Sequence, residues 1–327
     1  MHSTRISFSR LLACLGILTT AAMMPATAQE WPIRPLRIIV PFAPGGSADV
    51  FGRTVAQHLQ EVLGQSVIVE NKPGAGALIG SDIVAKSAPD GYTLLVISNA
   101  HTVNESLIKN KPFKLMSDFA PIAPISYSDL VLVTRPDLPY KTLGELIKAA
   151  KARPGAMSYA SSGPGTPYHM AGELFKAMAG VSILHIPYRG SAGARTDVMG
   201  GQLEMMFDAI PTMSEQIKAG KVRALATTGK QRSASLPDVP TLDEAGVKGY
   251  EATLWLGLVA PKGTPAPVIA RLNDILSKYT SSAEVKRAWG AQGAVPMTMS
   301  VAEFTRFLQG DIEKWAKVVK FSGAKVE

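Results

Sequence analysis

Two segments of this chain share one pattern: a short β-like run, a turn rich in glycine, proline and serine, and an amphipathic helix. The first, VPFAPGGSAD, covers residues 40–49 and leads into a helix to about residue 63. The second, SYASSGPGTPYH, covers residues 158–169 and leads into a helix to about residue 179. Because the first N–H groups of a helix lack intrahelical partners and the helix dipole favours negative charge there, each segment is predicted to bind an anion. The pair indicates a ligand whose carboxylates are held from two sides.

The N-terminus has the pattern of a secretory signal. Arg5 and Arg10 form a basic start, residues 11–23 are apolar, and a small-residue cleavage site ends at Ala28. Residues 1–28 are therefore predicted to be removed, and the mature protein is expected to be exported, soluble and periplasmic. Cys14 lies in a loose likeness of a lipoprotein attachment box, but the apolar run continues beyond it. Cleavage after Ala28 is the favoured reading.

Composition limits the chemistry of the mature chain. Cys14 is the only cysteine, so its removal excludes disulfides and thiol catalysis. A chain of 327 residues is long enough for a signal and two domains. The formal net charge of +8 is compatible with an anionic ligand. The lysines and arginines are scattered and not interleaved with aromatic residues, so no nucleic-acid partner is predicted.

Short β-branched runs alternate with helical patterns, which indicates an α/β fold. Strands are predicted at residues 36–41, 67–69, 92–98, 130–134, 157–160, 183–188, 203–207, 223–227 and 254–260. Proline and glycine at residues 121–124 and 229–240 are interpreted as two crossings between domains. Lobe I is accordingly expected to comprise residues 29–124 and 231–327, and lobe II residues 125–230.

Helix boundaries follow from local patterns. The first helix is predicted to bury one stripe formed by Phe51, Val55, Leu59 and Val62. Thr166 can cap the second helix, with Pro167 at its first position. Capping boxes are predicted at Thr142 with Glu145, and at Ser300 with Glu303.

The segment GAGALIG at residues 74–80 imitates a dinucleotide-binding turn. Its sixth position is Ile79 instead of glycine or alanine, and no acidic residue ends the next predicted strand. A turn whose glycines permit close packing is the favoured interpretation. Walker A, HExxH and GxSxG patterns are absent from the sequence, and its histidines lack metal-ligand spacing. No cofactor or metal is predicted.

Three polar residues each have two interpretations. Asp49 can cap the first helix or contact the ligand. His169 can line a cleft or hold the structure. Asp208 ends an apolar strand, where α/β proteins place cleft residues. It can serve in acid–base chemistry with Asp49, orient loop amides or receive an ammonium group.

Several motifs together resemble a known family. VPFAPGGSAD, YASSGPGTPYHMAGELF, HIPYRG, GQLEMMFD, LPDVPTLDEAG and APKGTP occur in the family's order and span nearly the whole mature chain. The set resembles the Bug family of periplasmic solute receptors, the substrate-binding components of tripartite tricarboxylate transporters. The resemblance implies a type II periplasmic-binding-protein fold, in which two α/β lobes joined by two crossings close on a ligand in the cleft between them.

The resemblance also implies which residues contact the ligand, mainly through backbone amides, hydroxyls and bridging waters. The first wall comprises the first loop with Phe42 beside it, and the second wall comprises the second loop, flanked by residues from later strands. Family members more often carry Asn where this chain has Pro164, which removes a backbone donor from the second loop. The implied ligand-binding residues are Phe42, Ala43, Gly45, Gly46, Ser47, Asp49, Ser161, Ser162, Gly163, Gly165, Thr166, His169, Tyr188, Arg189 and Asp208.

The sequence therefore predicts a monomeric, extracytoplasmic receptor that delivers a small organic carboxylate to the membrane subunits of a transporter. Di- and tricarboxylates, acidic amino acids and aromatic carboxylates are the candidate ligands. The alternative is a periplasmic hydrolase or lyase that uses Asp49, His169 and Asp208 in the same cleft. A purely structural interaction protein would leave both anion loops without a role.

Overall fold

The structure is a computed structural model and describes residues 31–325. The predicted signal segment and Cys14 lie outside the described residues. The strands are β1 (Leu36–Val40), β2 (Val67–Asn71), β3 (Thr93–Ser98), β4 (Phe119–Thr134), β5 (Ser158–Ser161), β6 (Leu184–Pro187), β7 (Met205–Ala209), β8 (Arg223–Thr227), β9 (Thr253–Pro261) and β10 (Ala294–Pro296). The helices are α1 (Ser47–Leu63), α2 (Leu78–Ala85), α3 (Asn99–Leu107), α4 (Leu115–Asp118), α5 (Leu143–Ala152), α6 (Pro167–Ala179), α7 (Ser191–Met199), α8 (Ile210–Lys218), α9 (Ala266–Ser281), α10 (Ala283–Ala291) and α11 (Val301–Ser322), and a short 3₁₀ helix covers Ala75–Ala77.

The strands of residues 31–325 form one mixed sheet in the order β2-β1-β3-β9-β4-β7-β5-β6, and β8 and β10 also pair with β4. Strand β1 is parallel to β2 and β3, and β5 is parallel to β6 and β7. Strands β4 and β9 run antiparallel to their neighbours. The carboxyl ends of β1 and β5 lead directly into the two glycine-rich loops. This is where open α/β sheets bind ligands.

Strand β4 connects two halves of the sheet. Up to Asp129 it pairs with β9, and from Leu130 onward it pairs with β7, while β8 joins at Val131. We call β1, β2, β3, β9 and β10 the first half, and β5, β6, β7 and β8 the second half. The chain therefore passes between the halves inside a strand, and not in a separate linker.

Residues 121–124, interpreted from the sequence as a crossing between domains, lie within β4. The register with β9 shifts between Pro121 and Ala123 and again between Pro124 and Ser126. Proline lacks the N–H that a ladder requires, and such irregularities accommodate it without ending the strand. The chain returns to the first half at β9. In the segment before β9, the Tyr250 hydroxyl donates to the Ala171 carbonyl of α6 at 2.7 Å. The lobe boundaries stay a prediction, with residues 29–124 and 231–327 in lobe I and residues 125–230 in lobe II.

Both faces of the first half are covered by helices. Ile38 packs in a cluster with residues of α1 and α9, whereas its neighbour Ile39 packs with Phe304 and Leu308 of α11. Successive strand residues point to opposite faces, so this arrangement requires helices on both sides of the sheet. It explains the continuous apolar character of β1 and of β3, in which all six residues are buried.

Local predictions for the helices are largely confirmed. Both predicted capping boxes form, at the starts of α5 and α11, and Thr166 caps α6. The predicted stripe of α1 is wrong at one position. Phe51, Val55 and Leu59 are buried, but the side chain of Val62 is 51% exposed. Val62 lies in the last turn of α1 and borders an opening between α1, α9 and α10.

The C-terminal helix contacts both halves. Trp315 of α11 packs with Val103 of α3 and Met170 of α6 in one cluster, which Ala324 completes. Asp311 of α11 also accepts hydrogen bonds from the Thr102 hydroxyl (2.6 Å) and the Trp255 indole (2.9 Å). The last helix therefore fastens the two halves to each other beside the cleft.

Candidate functional site

A cavity lies between the two halves, where the glycine-rich loops meet. The empty space among its lining atoms is about 340 Å³, which includes open solvent, and about 20 Å³ of it can hold the centre of a water molecule. Its floor includes two leucines of β9, and its walls come from the starts of α1, α6 and α7 together with Ser98. The lining residues are Phe42, Ala43, Gly46, Ser47, Ala48, Ser98, Ser162, Pro167, Tyr168, Ser191, Leu254 and Leu256.

The first loop is held in shape by Asp49. Its carboxylate accepts hydrogen bonds from the Gly45 N–H (3.0 Å) and the Asn71 amide (2.9 Å), and it pairs with Arg53 at 2.9 Å. Burial acts to raise the pKa of Asp49, but the contacts with Arg53, Gly45 and Asn71 outweigh it and lower the pKa. Asp49 is therefore a charged group that orients the loop, and it does not line the cavity.

With the first loop held in this way, backbone N–H groups at the start of α1 remain free. Gly45 has a φ of 81°, which glycine adopts without strain, and Gly46 follows as the N-cap in extended conformation. Within the described residues, the backbone N–H groups of Gly46, Ser47 and Ala48 have no backbone acceptor. All three residues line the cavity.

The second loop uses most of its donors internally. The Gly163 N–H bonds to the Ser161 hydroxyl (3.1 Å), and the Gly165 N–H bonds to Nδ1 of His169 (3.1 Å). The Thr166 N–H bonds to the Gly163 carbonyl (3.3 Å), and its hydroxyl donates to the same carbonyl (2.7 Å). Pro164 and Pro167 have no N–H. Only the ends of this loop, Ser162 and Tyr168, present polar groups to the cavity.

A third helix start joins the site, and the sequence analysis missed it. The turn after β6 ends at Gly190, and Ser191 is the first residue of α7. The segment HIPYRG followed by SAGA repeats the order of strand, glycine-containing turn and helix seen in the other two loops. That repetition is the signal that would have identified Ser191.

Three buried hydroxyl groups of the lining lack a hydrogen-bond partner within residues 31–325. They are the Oγ atoms of Ser47, Ser162 and Ser191, whose residues are 1%, 6% and 3% exposed. The Tyr168 hydroxyl lies beside two of them. Burial and the Asp208 charge raise its pKa, and Ser47 and Ser191 partly offset that rise. Buried hydroxyls without partners are costly, so this group is suited to a polar ligand atom.

The halves are in direct contact above the cavity. The Ala43 N–H donates to the Arg189 carbonyl at 3.4 Å, and a Cβ on Gly190 would lie 2.7 Å from Cβ of Ala43. Similarly, a Cβ on Gly76 would lie 2.5 Å from the Pro164 carbonyl oxygen. The segment GAGALIG is thus a closely packed turn, as predicted from the sequence. The structure represents a closed cleft.

Two more of the predicted ligand-binding residues lie beside the cavity without lining it. Tyr188 and Arg189 border a second opening beside Phe42 and Ser162. The Tyr188 hydroxyl donates to Asp197. Arg189 is exposed.

Asp208 is fully buried in an ion pair with Arg195, at 2.9 Å from both Nε and Nη2. Burial raises the pKa of Asp208, and the contacts with Arg195 and the Ala209 N–H partly offset that rise. Neither Asp208 nor His169 lines the cavity. The three residues of the alternative enzymatic reading, Asp49, His169 and Asp208, are each engaged in contacts within the protein.

His169 faces a different side of the second loop. Its ring stacks on His185 at 4.2 Å, and Glu173 lies 4.0 Å from Nε2. Burial lowers the pKa of His169 to about 4 and that of His185 to about 3. Both rings are therefore neutral at pH 7, and His169 can accept the Gly165 N–H only in that state.

In the part of the chain that the structure describes, no group of three or more His, Cys, Asp or Glu side chains is arranged to hold a metal ion. Across residues 31–325, no helix has the length and apolar character needed to cross a membrane.

A family model described as the tripartite tricarboxylate transporter family receptor, TctC, matches residues 51–323. The chain belongs to this receptor family. Protein BugT of Bordetella pertussis is 40% identical over 326 residues, which cover 98% of this chain and all of BugT. A UPF0065 protein from the tcbD-tcbE intergenic region of Pseudomonas sp. strain P51 is 36% identical over 327 residues, covering 98% and 97% of the two chains. The resemblance read from the sequence motifs is confirmed.

Solved structures of similar receptors share the fold. Rpa4515 of R. palustris, in a structure with adipate, superposes with a TM-score of 0.88 at 33% identity and covers 91% of this chain and 100% of its own. The periplasmic binding protein BugD gives a TM-score of 0.86 at 34% identity, with the same coverage. MatC from Rhodopseudomonas palustris, with bound malate, gives 0.84 at 30% identity and covers 88% and 100%. The predicted two-lobed periplasmic-binding fold is confirmed.

Proposed function

We propose that this TctC-family receptor captures a small organic carboxylate in the cavity and delivers it to the membrane subunits of a tripartite tricarboxylate transporter. The observation that carries the proposal is the convergence of three unpartnered, buried serine hydroxyls with the free amides of Gly46, Ser47 and Ala48. Hydroxyls and helix-start amides are the donors that bind carboxylates. The relatives Rpa4515 and MatC, whose structures contain adipate and malate, support the same ligand class.

Closure on the ligand is part of the proposal. Ser47 belongs to the first half, whereas Ser162 and Ser191 belong to the second. A carboxylate that accepts from both sides completes its contacts only when the cleft is shut. Because such a ligand binds the closed state better than the open one, it shifts the protein toward closure. The closed form is then the one that the membrane subunits recognise.

We also propose that the receptor binds without turnover. Hydrolysis or elimination requires a general base within reach of the reacting atoms. The nearest candidates, Asp49, His169 and Asp208, are occupied by Gly45, Gly165 and Arg195.

Export with cleavage after Ala28 and a monomeric state belong to the same proposal. N-terminal sequencing of the periplasmic protein tests the cleavage site, and light scattering tests the monomeric state.

The decisive experiment is native mass spectrometry of the purified mature protein, followed by a thermal-shift screen of small carboxylates after unfolding and refolding. A bound acid that is recovered by mass and raises the melting temperature supports the receptor role. If no carboxylate in a broad panel raises it, the carboxylate proposal fails. Conversion of the acid during incubation would establish the enzymatic alternative.

A further inference from the structure

The chemistry of the cavity indicates which members of the carboxylate class can bind. We propose that the cleft selects an acid with one carboxylate and an apolar body, whose carboxylate is held by the hydroxyls of Ser47, Ser162 and Ser191. This inference rests on the proposed function. It concerns how many charged groups the cavity accepts, which neither the fold nor the family determines.

The donors are concentrated around one point. The Tyr168 hydroxyl lies close enough to Ser47 and Ser191 for both to influence its pKa, although no hydrogen bond joins it to either serine. A Cβ on Gly46 would lie 3.1 Å from the Ser191 hydroxyl, so the starts of α1 and α7 are in contact. Three helix starts therefore supply one shared set of donors. That set is sufficient for a single carboxylate, which has about four acceptor positions.

The remaining lining is apolar except for Ser98, whose hydroxyl already accepts a hydrogen bond from the Ala100 N–H. Phe42, Ala43 and Pro167 contribute to the walls, and Leu254 and Leu256 of β9 form the floor; both leucines are at most 4% exposed. No lining residue carries a formal charge. The nearest buried cation, Arg195, is already paired with Asp208. A second carboxylate placed against this surface would lose its hydration without gaining a partner, which is strongly unfavourable.

The second loop reinforces this selection. The loop after β5 offers few amides to a distal carboxylate, because Gly163, Gly165 and Thr166 use theirs within the protein. Pro164 stands in the middle of this loop and has no N–H. Pro164 therefore supplies no backbone donor for a second anionic group.

Matched pairs of acids test the inference by calorimetry on the refolded mature protein. Hexanoate is compared with adipate, and benzoate with terephthalate, since each pair differs only by the second carboxylate. The expected result is that each monocarboxylate that binds does so about tenfold or more tightly than its own diacid. A diacid that binds as tightly or more tightly overturns the inference and leaves the proposed function intact. Absence of binding by all four acids and by a wider carboxylate panel refutes both.

Two variants locate the carboxylate. Ser191→Ala should weaken monocarboxylate binding about tenfold, whereas Ser117→Ala, at an exposed serine, should leave it unchanged. Unchanged affinity in Ser191→Ala, with an unchanged melting temperature, would overturn the assignment of the hydroxyl cluster. Arg189→Gln tests the second opening: if it lowers affinity for a diacid at least tenfold while sparing the monoacid, the opening holds a second carboxylate and the inference is wrong.

Discussion

The backbone N–H of Gly165 donates to Nδ1 of His169 at 3.1 Å, so a side chain of α6 fixes the loop that precedes the helix. His169→Ala should leave this buried N–H without a partner. We expect about 1–3 kcal/mol of destabilisation and about tenfold weaker carboxylate binding, measured by urea unfolding and calorimetry. His58→Ala is the control, because His58 stacks on Tyr279 away from the cavity. Equal affinity in His169→Ala and the wild type would show that the loop keeps its shape without the ring.

The stability of the folded protein should fall in mild acid because of His169 and His185, whose rings stack on each other. Burial lowers the pKa values of His169 and His185 to about 4 and about 3, below the ordinary value of 6.5. Between pH 6.5 and 4 the unfolded chain binds protons that the folded chain does not, so the free energy of unfolding decreases as pH falls. We expect a loss of about 1–2 kcal/mol per histidine between pH 7 and pH 5. Urea titrations at both pH values measure it, and His185→Gln should reduce the loss.

Gly46 is required for space and not for backbone conformation. Its φ of −88° is open to any residue, but a Cβ there would lie 3.1 Å from the Ser191 hydroxyl. Gly46→Val should therefore abolish carboxylate binding while changing the free energy of unfolding by about 1 kcal/mol or less. Gly144→Ala is a matched control, since a Cβ at Gly144 meets no atom within 4 Å. Retained binding in Gly46→Val would remove the first loop from the site.

The ion pair between Asp208 and Arg195 should be structural. Arg195→Met leaves a carboxylate at 0% exposure without its cation, which should destabilise the fold by about 3–5 kcal/mol. Adding Asp208→Asn should recover part of that loss, because the uncompensated charge is removed. Urea unfolding of the single and double variants measures both steps. A single variant as stable as the wild type would mean that Asp208 is protonated in the folded protein.

The turn Ala75–Ala77 holds two alanines in left-handed backbone conformation, with φ of 48° at Ala75 and 79° at Ala77. Left-handed conformations cost a residue with a Cβ roughly 1 kcal/mol. Ala75→Gly, at an exposed position, should therefore stabilise the protein slightly, by about 0.5 kcal/mol after the entropy of the unfolded glycine is included, whereas the methyl group of Ala77 is buried and its loss would cancel the gain. Ala288→Gly, at an exposed position of α10, should destabilise by about 1 kcal/mol. Thermal melts of the two variants should shift in opposite directions.

Much of the fold was determined locally. The caps at Thr142, Thr166 and Ser300 form as predicted, because a cap depends on residues within one turn of the chain. The two glycine loops also lie where strand and helix patterns predicted them. Pairing between distant strands is different. The sequence predicted a strand only at residues 130–134 here, whereas partners on β9 extend β4 back to Phe119 and carry it through its prolines with shifts in register.

The amino-acid sequence by itself determined the family and the strand–loop–helix pattern of the two loops, since these depend on residue type and short spacing. Only the tertiary structure decided which donors remain for a ligand. Asp49, His169 and Asp208 looked available in the sequence, but contacts with Gly45, Gly165 and Arg195 occupy them. Ser191 lines the cavity because folding packs the start of α7 against the start of α1. A free donor is defined by the absence of a neighbour, and packing alone decides which neighbours a residue has.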